Sequence, residues 1–216
     1  MLISDSHEFI FPQVRKTASS SMQQILRPLC IPPPSGLLAR LKSRTRLEWD
    51  YHAYKFPLHA DILSAKRRMP SAQFERYFKF AFVRNPWERL VSEYEYILNQ
   101  PDHGRHRRVR AMGTFADFIH LQISRSDAYQ INMLCDSSNK LLVDFLGRFE
   151  RLDDDWASVC RQIGIPHRPL PHRNATARRP LGEYYDDDSI ALVARHWATE
   201  IEMFGYRYPG SARPGY

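Results

Sequence analysis

The clearest pattern of period two along the chain lies between residues 78 and 83. Phenylalanines stand at every second position there, which predicts a strand that ends at Arg84. Asn85 is a favoured N-cap residue, and Pro86 suits the first helical position because its missing N–H removes no hydrogen bond there. Apolar residues then recur at spacings of three and four, the pattern of one buried helix face. That face consists of Trp87, Leu90, Val91, Tyr94, Ile97 and Leu98. The pattern predicts a strand, a turn that carries Arg84, and a helix with Ser92 two turns along it.

A second strand–turn–helix pattern lies near the N-terminus. Phe9–Phe11 is a short apolar run typical of a buried strand, and the polar segment QVRKTASSS follows it. Ser20 and Gln23 have the spacing of a capping box, which predicts that a helix starts near Ser20. A polar loop between a strand and a helix N-terminus suits a phosphate group, but an ordinary serine-rich turn has the same pattern. The Walker A motif GxxxxGK[ST] is absent from the sequence.

Weaker patterns complete the predicted fold. They indicate a short helix just after His59, a helix from Thr114 to Leu121, strand-like segments at 141–145 and 148–149, and helices at 152–163 and 188–204. Alternating strands and helices predict an α/β fold with a central, mainly parallel sheet flanked by helices, and ligands at the carboxyl ends of the strands. The length of 216 residues predicts one domain, residues 1–208. The tail 209–216 is predicted to be disordered.

The charge balance indicates anionic ligands. The chain has 31 Lys and Arg residues against 24 Asp and Glu residues, a formal net charge of +7. Charge alone does not distinguish a nucleotide, an anionic polymer, nucleic acid or a membrane surface. Residues 101–110 are strongly basic and lack periodicity. They predict a polar loop, either a solvated insertion or an electrostatic guide for an acidic acceptor.

Other sequence features concern metals and location. Cys30, Cys135 and Cys160 are too few and too scattered for a disulfide framework or a zinc site, so no metal is predicted. No run approaches the ~20 apolar residues of a membrane span. The N-terminal residues lack the pattern of a signal peptide. These features predict a cytoplasmic protein or a truncated chain.

The segment around Arg84 resembles a known nucleotide-binding motif. Its sequence, FVRNPWERLVSEY, resembles the 3′-phosphate-binding segment of sulfotransferases that use 3′-phosphoadenosine 5′-phosphosulfate (PAPS). The resemblance is to the branch with carbohydrate O-sulfotransferases and their bacterial relatives. It implies that Arg84 and Ser92 hold the 3′-phosphate. Without the resemblance, the same residues are equally compatible with an ordinary strand–helix turn.

Two further segments resemble motifs of that family. Residues 16–21 resemble the 5′-phosphosulfate loop, commonly written PKTAGTS, although Arg15 stands where Pro is usual and Ser19 where Gly is common. The resemblance implies that Lys16 neutralises charge on the leaving phosphate. Arg178 and Arg179 resemble the late basic loop that closes over the nucleotide. The residues so implied to bind PAPS are Arg15, Lys16, Thr17, Ala18, Ser19, Ser20, Ser21, Arg84, Ser92, Arg178 and Arg179.

A histidine is the candidate general base. His59 lies between the two phosphate-binding segments, where members of the family carry a histidine, and the resemblance implies that it removes the acceptor's proton. A lone histidine is more often structural. His52 is the competing candidate, and Glu48, Asp50 or the acceptor itself are the alternatives if neither histidine acts.

The resemblance spans residues 9–208 and implies a P-loop-like, three-layer fold. It implies transfer of a sulfuryl group from PAPS to a hydroxyl or amine of a carbohydrate or small natural product. A P-loop nucleotide kinase is disfavoured because neither a Walker A loop nor a magnesium-binding pair is evident. A basic nucleic-acid or polysaccharide-binding module is disfavoured because the aromatic residues fall on core stripes. No nucleic-acid partner is therefore predicted.

Overall fold

The computed structural model describes residues 1–31, 51–52, 56–171 and 179–210. The chain divides into two compact units, the first formed by Met1–Val83 with Ile131–Pro171 and the second by Arg84–Gln130 with His172–Tyr216. The single domain expected for residues 1–208 stays a prediction. The expected disordered tail lies outside the described residues from position 211 onward.

The first unit is built on a four-stranded sheet of described residues. Its strands are β1 (Leu2–Ser4), β2 (Phe9–Phe11), β3 (Phe78–Val83) and β4 (Phe145–Arg148), in the spatial order β1-β2-β3-β4. β1 runs antiparallel to β2, whereas β2, β3 and β4 are mutually parallel. Phe9 pairs with Phe78 and Phe80 pairs with Phe145. The predicted, mainly parallel sheet is confirmed, and the carboxyl ends of β2, β3 and β4 share one edge.

The structure has helices in each region where the hydrophobic patterns predict one, and further short helices between them. In chain order they are α1 (Ser19–Leu26), α2 (Ile62–Arg68), α3 (Ser71–Arg76), α4 (Pro86–Leu98), α5 (His106–Arg110), α6 (Phe115–Ile123), α7 (Ile131–Leu134), α8 (Leu152–Gln162), α9 (Asp187–His196) and α10 (Ala198–Phe204). Single 3₁₀ turns occupy Arg27–Leu29, Ser126–Ala128, Phe149–Arg151 and Leu181–Glu183.

Side chains alternate across the sheet and bury both of its faces. Phe9 and Phe11 on β2 join one apolar cluster with Met22 of α1 and Trp156 of α8. Ile10, between the two phenylalanines, belongs to a different cluster that includes residues of α2 and α3. Since successive side chains of a strand point to opposite faces, helices cover both sides of the sheet. This arrangement gives the predicted three layers.

The second unit is helical, and aromatic side chains dominate its core. The predicted apolar face of α4 is confirmed, since Trp87, Leu90, Val91 and Ile97 are buried. Tyr94 on the same face makes edge-on or tilted contacts with rings from α6 and from the segment before α9. These contacts fix α4 against its neighbours in the unit.

Three predicted elements differ in the structure. The helix expected at 188–204 is two helices, α9 and α10, because the chain leaves helical geometry at Trp197, whose buried ring stacks on Tyr129. The basic segment expected as a loop contains helix α5, whose His106 and Val109 are buried three residues apart. The strand expected from two segments at 141–149 is only Phe145–Arg148.

The start of α1 also differs from its prediction. Ser20 and Gln23 do not form a capping box, and the N-cap position is Ala18, with no side-chain hydrogen bond to the first turn. Ala18 has a φ of 61°, in the left-handed region that L-residues rarely adopt. The backbone geometry of the preceding loop thus sets the start of this helix.

Candidate active site

The turn between β2 and α1 has two non-glycine residues in left-handed conformation. Lys16 has a φ of 65° and Ala18 a φ of 61°. Such conformations are costly and are concentrated at functional sites, so they are a reason to suspect a binding role. The first backbone N–H groups of α1 have no side-chain cap. A helix N-terminus of this kind attracts an anion through its N–H groups and its dipole.

The hydroxyls of this turn divide into two groups. Thr17 Oγ1 donates to the Val14 carbonyl at 3.0 Å, and Ser21 Oγ donates to the Pro171 carbonyl at 2.7 Å. Both side chains are buried and hold the loop in place. Ser20 is exposed at the first turn, and Lys16 and Arg15 are half-buried. Among the predicted 5′-loop residues, Lys16 and Ser20 are therefore the ones best placed to meet a ligand.

The two candidate histidines lie at opposite ends of β2. His59 Nδ1 is 2.7 Å from the carbonyl of Gln13, two residues after β2 ends and three before Lys16. His52 Nε2 instead contacts Asp5 Oδ2 at 2.7 Å. Asp5 follows β1, and β1 ends where β2 begins because the two strands are antiparallel. Within the first unit, the fold brings His59 to the Lys16 loop and leaves His52 at the opposite edge.

The contact to Gln13 also determines the tautomer of His59. A carbonyl oxygen only accepts hydrogen bonds, so Nδ1 must carry the proton. In the neutral ring, Nε2 is then the basic nitrogen. This is the form in which a histidine takes a proton from an acceptor hydroxyl.

Asp5 is the centre of a structural cluster. Tyr51 and Tyr77 each donate to Asp5 Oδ1 at 2.7 Å, in addition to the contact of His52 with Oδ2. Burial alone would raise the pKa of Asp5, but hydrogen bonds from Tyr77, Tyr51 and His52 outweigh it and lower the pKa below its usual value. The carboxylate therefore stays charged and holds His52 at that edge.

In the second unit, Arg84 is buried and paired. Its side chain Nη2 donates to Glu88 Oε2 at 3.2 Å, one turn into α4. Asn85 caps α4 as predicted, accepting from the Trp87 N–H at 3.1 Å, and its amide also donates to the Arg207 carbonyl at 2.7 Å. The turn thus holds a guanidinium whose direction is fixed by its surroundings.

Ser92 and Arg179 belong to the same unit as Arg84. Ser92 lies four residues after Glu88, on the same face of α4, and is half-buried. Arg179 lines a cleft of about 320 Å³ together with Glu88, Val91, Pro180 and Leu181. The structure therefore brings Arg179 close to the carboxylate that pairs with Arg84. Arg178 lies outside the described residues.

Arg179 is exposed but anchored through Tyr184. Its guanidinium lies 4.6 Å from the centre of the Tyr184 ring, and its backbone N–H donates to the Tyr184 hydroxyl at 3.2 Å. The same hydroxyl donates to Glu95 on α4 at 2.6 Å. Burial, followed by this bond to Glu95, raises the pKa of Tyr184, so the phenol remains a donor. The position of Arg179 is thus tied to the helix that carries Ser92.

The predicted site residues did not include three residues that contact them. Gln13 holds His59 through its carbonyl, Glu88 pairs with Arg84, and Gln130 hydrogen-bonds the backbone of Arg84. The four-residue spacing of Arg84 and Glu88 is a recognisable signal for an ion pair on a helix. Gln130 lies 46 residues from Arg84, and no local pattern points to it.

Two further findings concern metals and membranes. Across residues 1–31, 51–52, 56–171 and 179–210, no three His, Cys, Asp or Glu side chains converge as a metal site. The helices in that part of the chain are all too short or too polar to cross a bilayer. The expected cytoplasmic location stays a prediction.

Comparisons with known proteins show what the chain resembles. A sequence model described as the sulfotransferase family matches residues 1–207. Carbohydrate sulfotransferase 14 from Danio rerio is 27% identical over 245 residues, covering 98% of this chain and 63% of that protein. Its counterpart from Homo sapiens is 28% identical over 202 residues, covering 82% of this chain and 50% of that protein. The chain thus spans between half and 63% of the length of these curated relatives.

A solved structure also matches this chain. It is the crystal structure of mouse sulfotransferase SULT7A1 complexed with PAP, with a TM-score of 0.44 and 12% identity. The match covers 99% of this chain and 70% of the other.

Proposed function

This chain belongs to the sulfotransferase family, and we propose that it transfers a sulfuryl group from PAPS to an acceptor hydroxyl or amine. The observation that carries the proposal is the turn between β2 and α1. It places Lys16 in a left-handed loop directly before an uncapped helix N-terminus, which suits a phosphate group.

Each unit, taken by itself, carries residues that suit one phosphate group of an adenosine bisphosphate nucleotide. In the first unit, Lys16, Ser20 and the first N–H groups of α1 are the candidates for the 5′ end, because that helix start has no side-chain cap. Arg84, Ser92 and Arg179 are the candidates for the 3′-phosphate. A guanidinium binds phosphate through two parallel hydrogen bonds, which a buried and oriented Arg84 can supply.

PAPS supplies a sulfuryl group attached to a phosphate that can act as leaving group. Lys16 places a positive charge in the loop where negative charge develops on that phosphate. Preorganised donors of this kind typically contribute a few kcal/mol each to transition-state stabilisation. His59 would accept the acceptor's proton at Nε2 while its Nδ1–H stays bonded to Gln13. A general base typically contributes about 10²–10⁴-fold in rate.

We propose a carbohydrate as the acceptor. The relatives are carbohydrate sulfotransferases, and the chain carries a net charge of +7. Helix α5 adds three exposed arginines, Arg107, Arg108 and Arg110, to one surface of the second unit. Such a surface attracts an acidic polymer more strongly than a neutral one.

A labelled-donor assay tests the proposal against the kinase alternative. The protein is incubated with a panel of neutral and acidic oligosaccharides and with either sulfur-labelled PAPS plus a metal chelator or γ-labelled ATP plus Mg²⁺, which a kinase requires. We expect label to move from PAPS to an oligosaccharide and not from ATP. Transfer of phosphate label, or no transfer from PAPS to any hydroxyl or amine acceptor offered, would contradict the proposal.

A further inference from the structure

We propose that Gln130 is a positioning residue for Arg84 and that the buried carboxylate of Glu200 sets the orientation in which Gln130 works. The inference rests on the proposed function, in which Arg84 binds the 3′-phosphate. It concerns three residues of the second unit, Arg84, Gln130 and Glu200.

The side chain of Gln130 pairs with the backbone of Arg84 in both directions. The Arg84 N–H donates to Gln130 Oε1 at 2.9 Å, and Gln130 Nε2 donates to the Arg84 carbonyl at 2.9 Å. A neighbouring strand exchanges the same two bonds with a residue it faces. Arg84 directly follows β3, which ends at Val83, so the amide takes the place of a strand partner at the first residue beyond the strand.

Burial makes this pairing important. Arg84 is 5% exposed and Gln130 is 1% exposed. A buried backbone N–H or C=O without a partner destabilises the folded state, because it has lost its hydrogen bonds to water. The two bonds therefore hold the backbone of Arg84 on the side of the strand, while the Asn85 cap holds it on the side of the helix.

Glu200 determines which way the amide of Gln130 faces. Gln130 Nε2 donates to Glu200 Oε2 at 2.9 Å, and the backbone N–H of Gln130 donates to Glu200 Oε1. Glu200 is fully buried on α10. Oxygen atoms of a carboxylate accept from the amide NH₂ group, and a flipped amide would set its oxygen against them. Glu200 thus keeps Oε1 directed at the Arg84 N–H.

A fixed backbone matters because the guanidinium works by direction as well as charge. Bidentate phosphate recognition requires the binding group to be held within about 0.5 Å and 10–20° of its productive geometry. Without Gln130, Arg84 keeps its charge, but its backbone and therefore its guanidinium are no longer held in one orientation. We therefore expect a loss of discrimination for the 3′-phosphate and little change in the affinity for the 5′ end.

The test compares two nucleotides in two matched variants. The dissociation constants of 3′-phosphoadenosine 5′-phosphate and adenosine 5′-phosphate are measured by calorimetry. The readout is the preference ratio, which is the dissociation constant of adenosine 5′-phosphate divided by that of the 3′-phosphorylated nucleotide. Gln130→Leu should lower the ratio by about tenfold, with the affinity for adenosine 5′-phosphate within about twofold of wild type. Gln122→Leu is the control, because Gln122 is a buried glutamine of the same unit, 2% exposed, that does not contact Arg84.

Glu200→Gln covers the case in which Gln130→Leu does not fold. It keeps the volume but allows the amide of Gln130 to flip, so we expect the ratio to fall by about two- to threefold. A ratio that stays at the wild-type value in the folded variants, whatever their melting temperature, overturns the positioning role. A wild-type protein without preference for the 3′-phosphorylated nucleotide overturns the proposed role of Arg84 itself. The two failures are therefore distinct.

Discussion

Two strand-to-helix turns carry the candidate phosphate contacts, and they are built in opposite ways. The turn from β2 to α1 enters its helix through left-handed residues, with no side chain on the first N–H groups. The turn from β3 to α4 enters through the Asn85 cap and Pro86, so its first N–H groups are partly satisfied by the protein.

This difference indicates how each turn would bind an anion. The first turn presents backbone N–H groups and a helix dipole, which can bind a phosphate together with the side chains of Lys16 and Ser20.

In the second turn, Asn85 occupies the N-cap position and accepts from the Trp87 N–H. Binding of an anion there therefore depends on the side chain of Arg84. A side chain needs to be held in place, and Arg84 hydrogen-bonds Glu88 through its guanidinium and Gln130 through its backbone N–H.

The largest expected effect falls on the first turn. Lys16→Ala should lower kcat by at least about 10²-fold, because the lysine places charge where the leaving phosphate becomes negative. The fold should be retained, since Lys16 is half-buried in a loop and belongs to none of the apolar clusters. Initial rates with labelled PAPS measure the effect. Lys66→Ala, an exposed lysine on α2, is the matched control, and equal losses in the two variants would show that the loop does not act as proposed.

The next largest effect is expected for the substitution of His59. His59→Ala should lower kcat by about 10²–10⁴-fold, because Gln13 holds its ring near Lys16 with Nε2 as the basic nitrogen. The wild-type rate should rise with pH as a general base loses its proton, and the variant should lose that rise.

His52→Ala is the matched control for His59→Ala. It should leave kcat nearly unchanged, since Asp5 holds His52 at the other end of β2. An inactive His52→Ala with an active His59→Ala would reverse the assignment.

The sequence predicts that both strand-to-helix turns exist, but it does not predict the conformations and contacts that fix them. The strand, cap and helix around Arg84 follow from local pattern, and the structure confirms them. The start of α1 could not be predicted, because the left-handed conformation at Ala18 is set by the loop and overrides a local capping signal. The roles of Gln130 and Glu200 could not be predicted for another reason. Their contacts span 46 and 70 residues, and only tertiary packing brings them together.

The two turns should also differ in how substitutions at their cap positions change the free energy of unfolding. Asn85→Ala should destabilise the protein by about 1–2 kcal/mol, since it removes a cap and the bond to Arg207. Ala18→Gly should change stability by less than about 1 kcal/mol, in the stabilising direction, because glycine adopts a positive φ without strain.

Urea unfolding followed by circular dichroism measures both substitutions. Asn85→Asp keeps the cap oxygen and loses the donor to Arg207, so it should lie between wild type and Asn85→Ala. Destabilisation by Ala18→Gly as large as by Asn85→Ala would mean that the first turn is not strained.

The smallest effect concerns the edge of the sheet that holds His52. The pKa of Asp5 is lowered in the folded state, so its contribution to stability is complete above the unfolded pKa, ~3.9, and is lost as pH falls through the folded value. Melting temperatures of wild type and Asp5→Asn, measured from pH 6 down to about pH 2, should therefore converge at acidic pH. A difference that stays constant over this range would show that the charge of Asp5 is irrelevant.

The most direct test of the account is whether the second turn reads the 3′-phosphate through Arg84. Calorimetry with chelator present compares 3′-phosphoadenosine 5′-phosphate with adenosine 5′-phosphate in wild type, Arg84→Lys and the control Arg125→Lys. We predict that wild type and Arg125→Lys prefer the 3′-phosphorylated nucleotide by at least about tenfold. Arg84→Lys, which keeps the charge but loses the planar fork, should lose most of that preference. Equal affinity for the two nucleotides in wild type, or an undiminished preference in Arg84→Lys, would contradict the account.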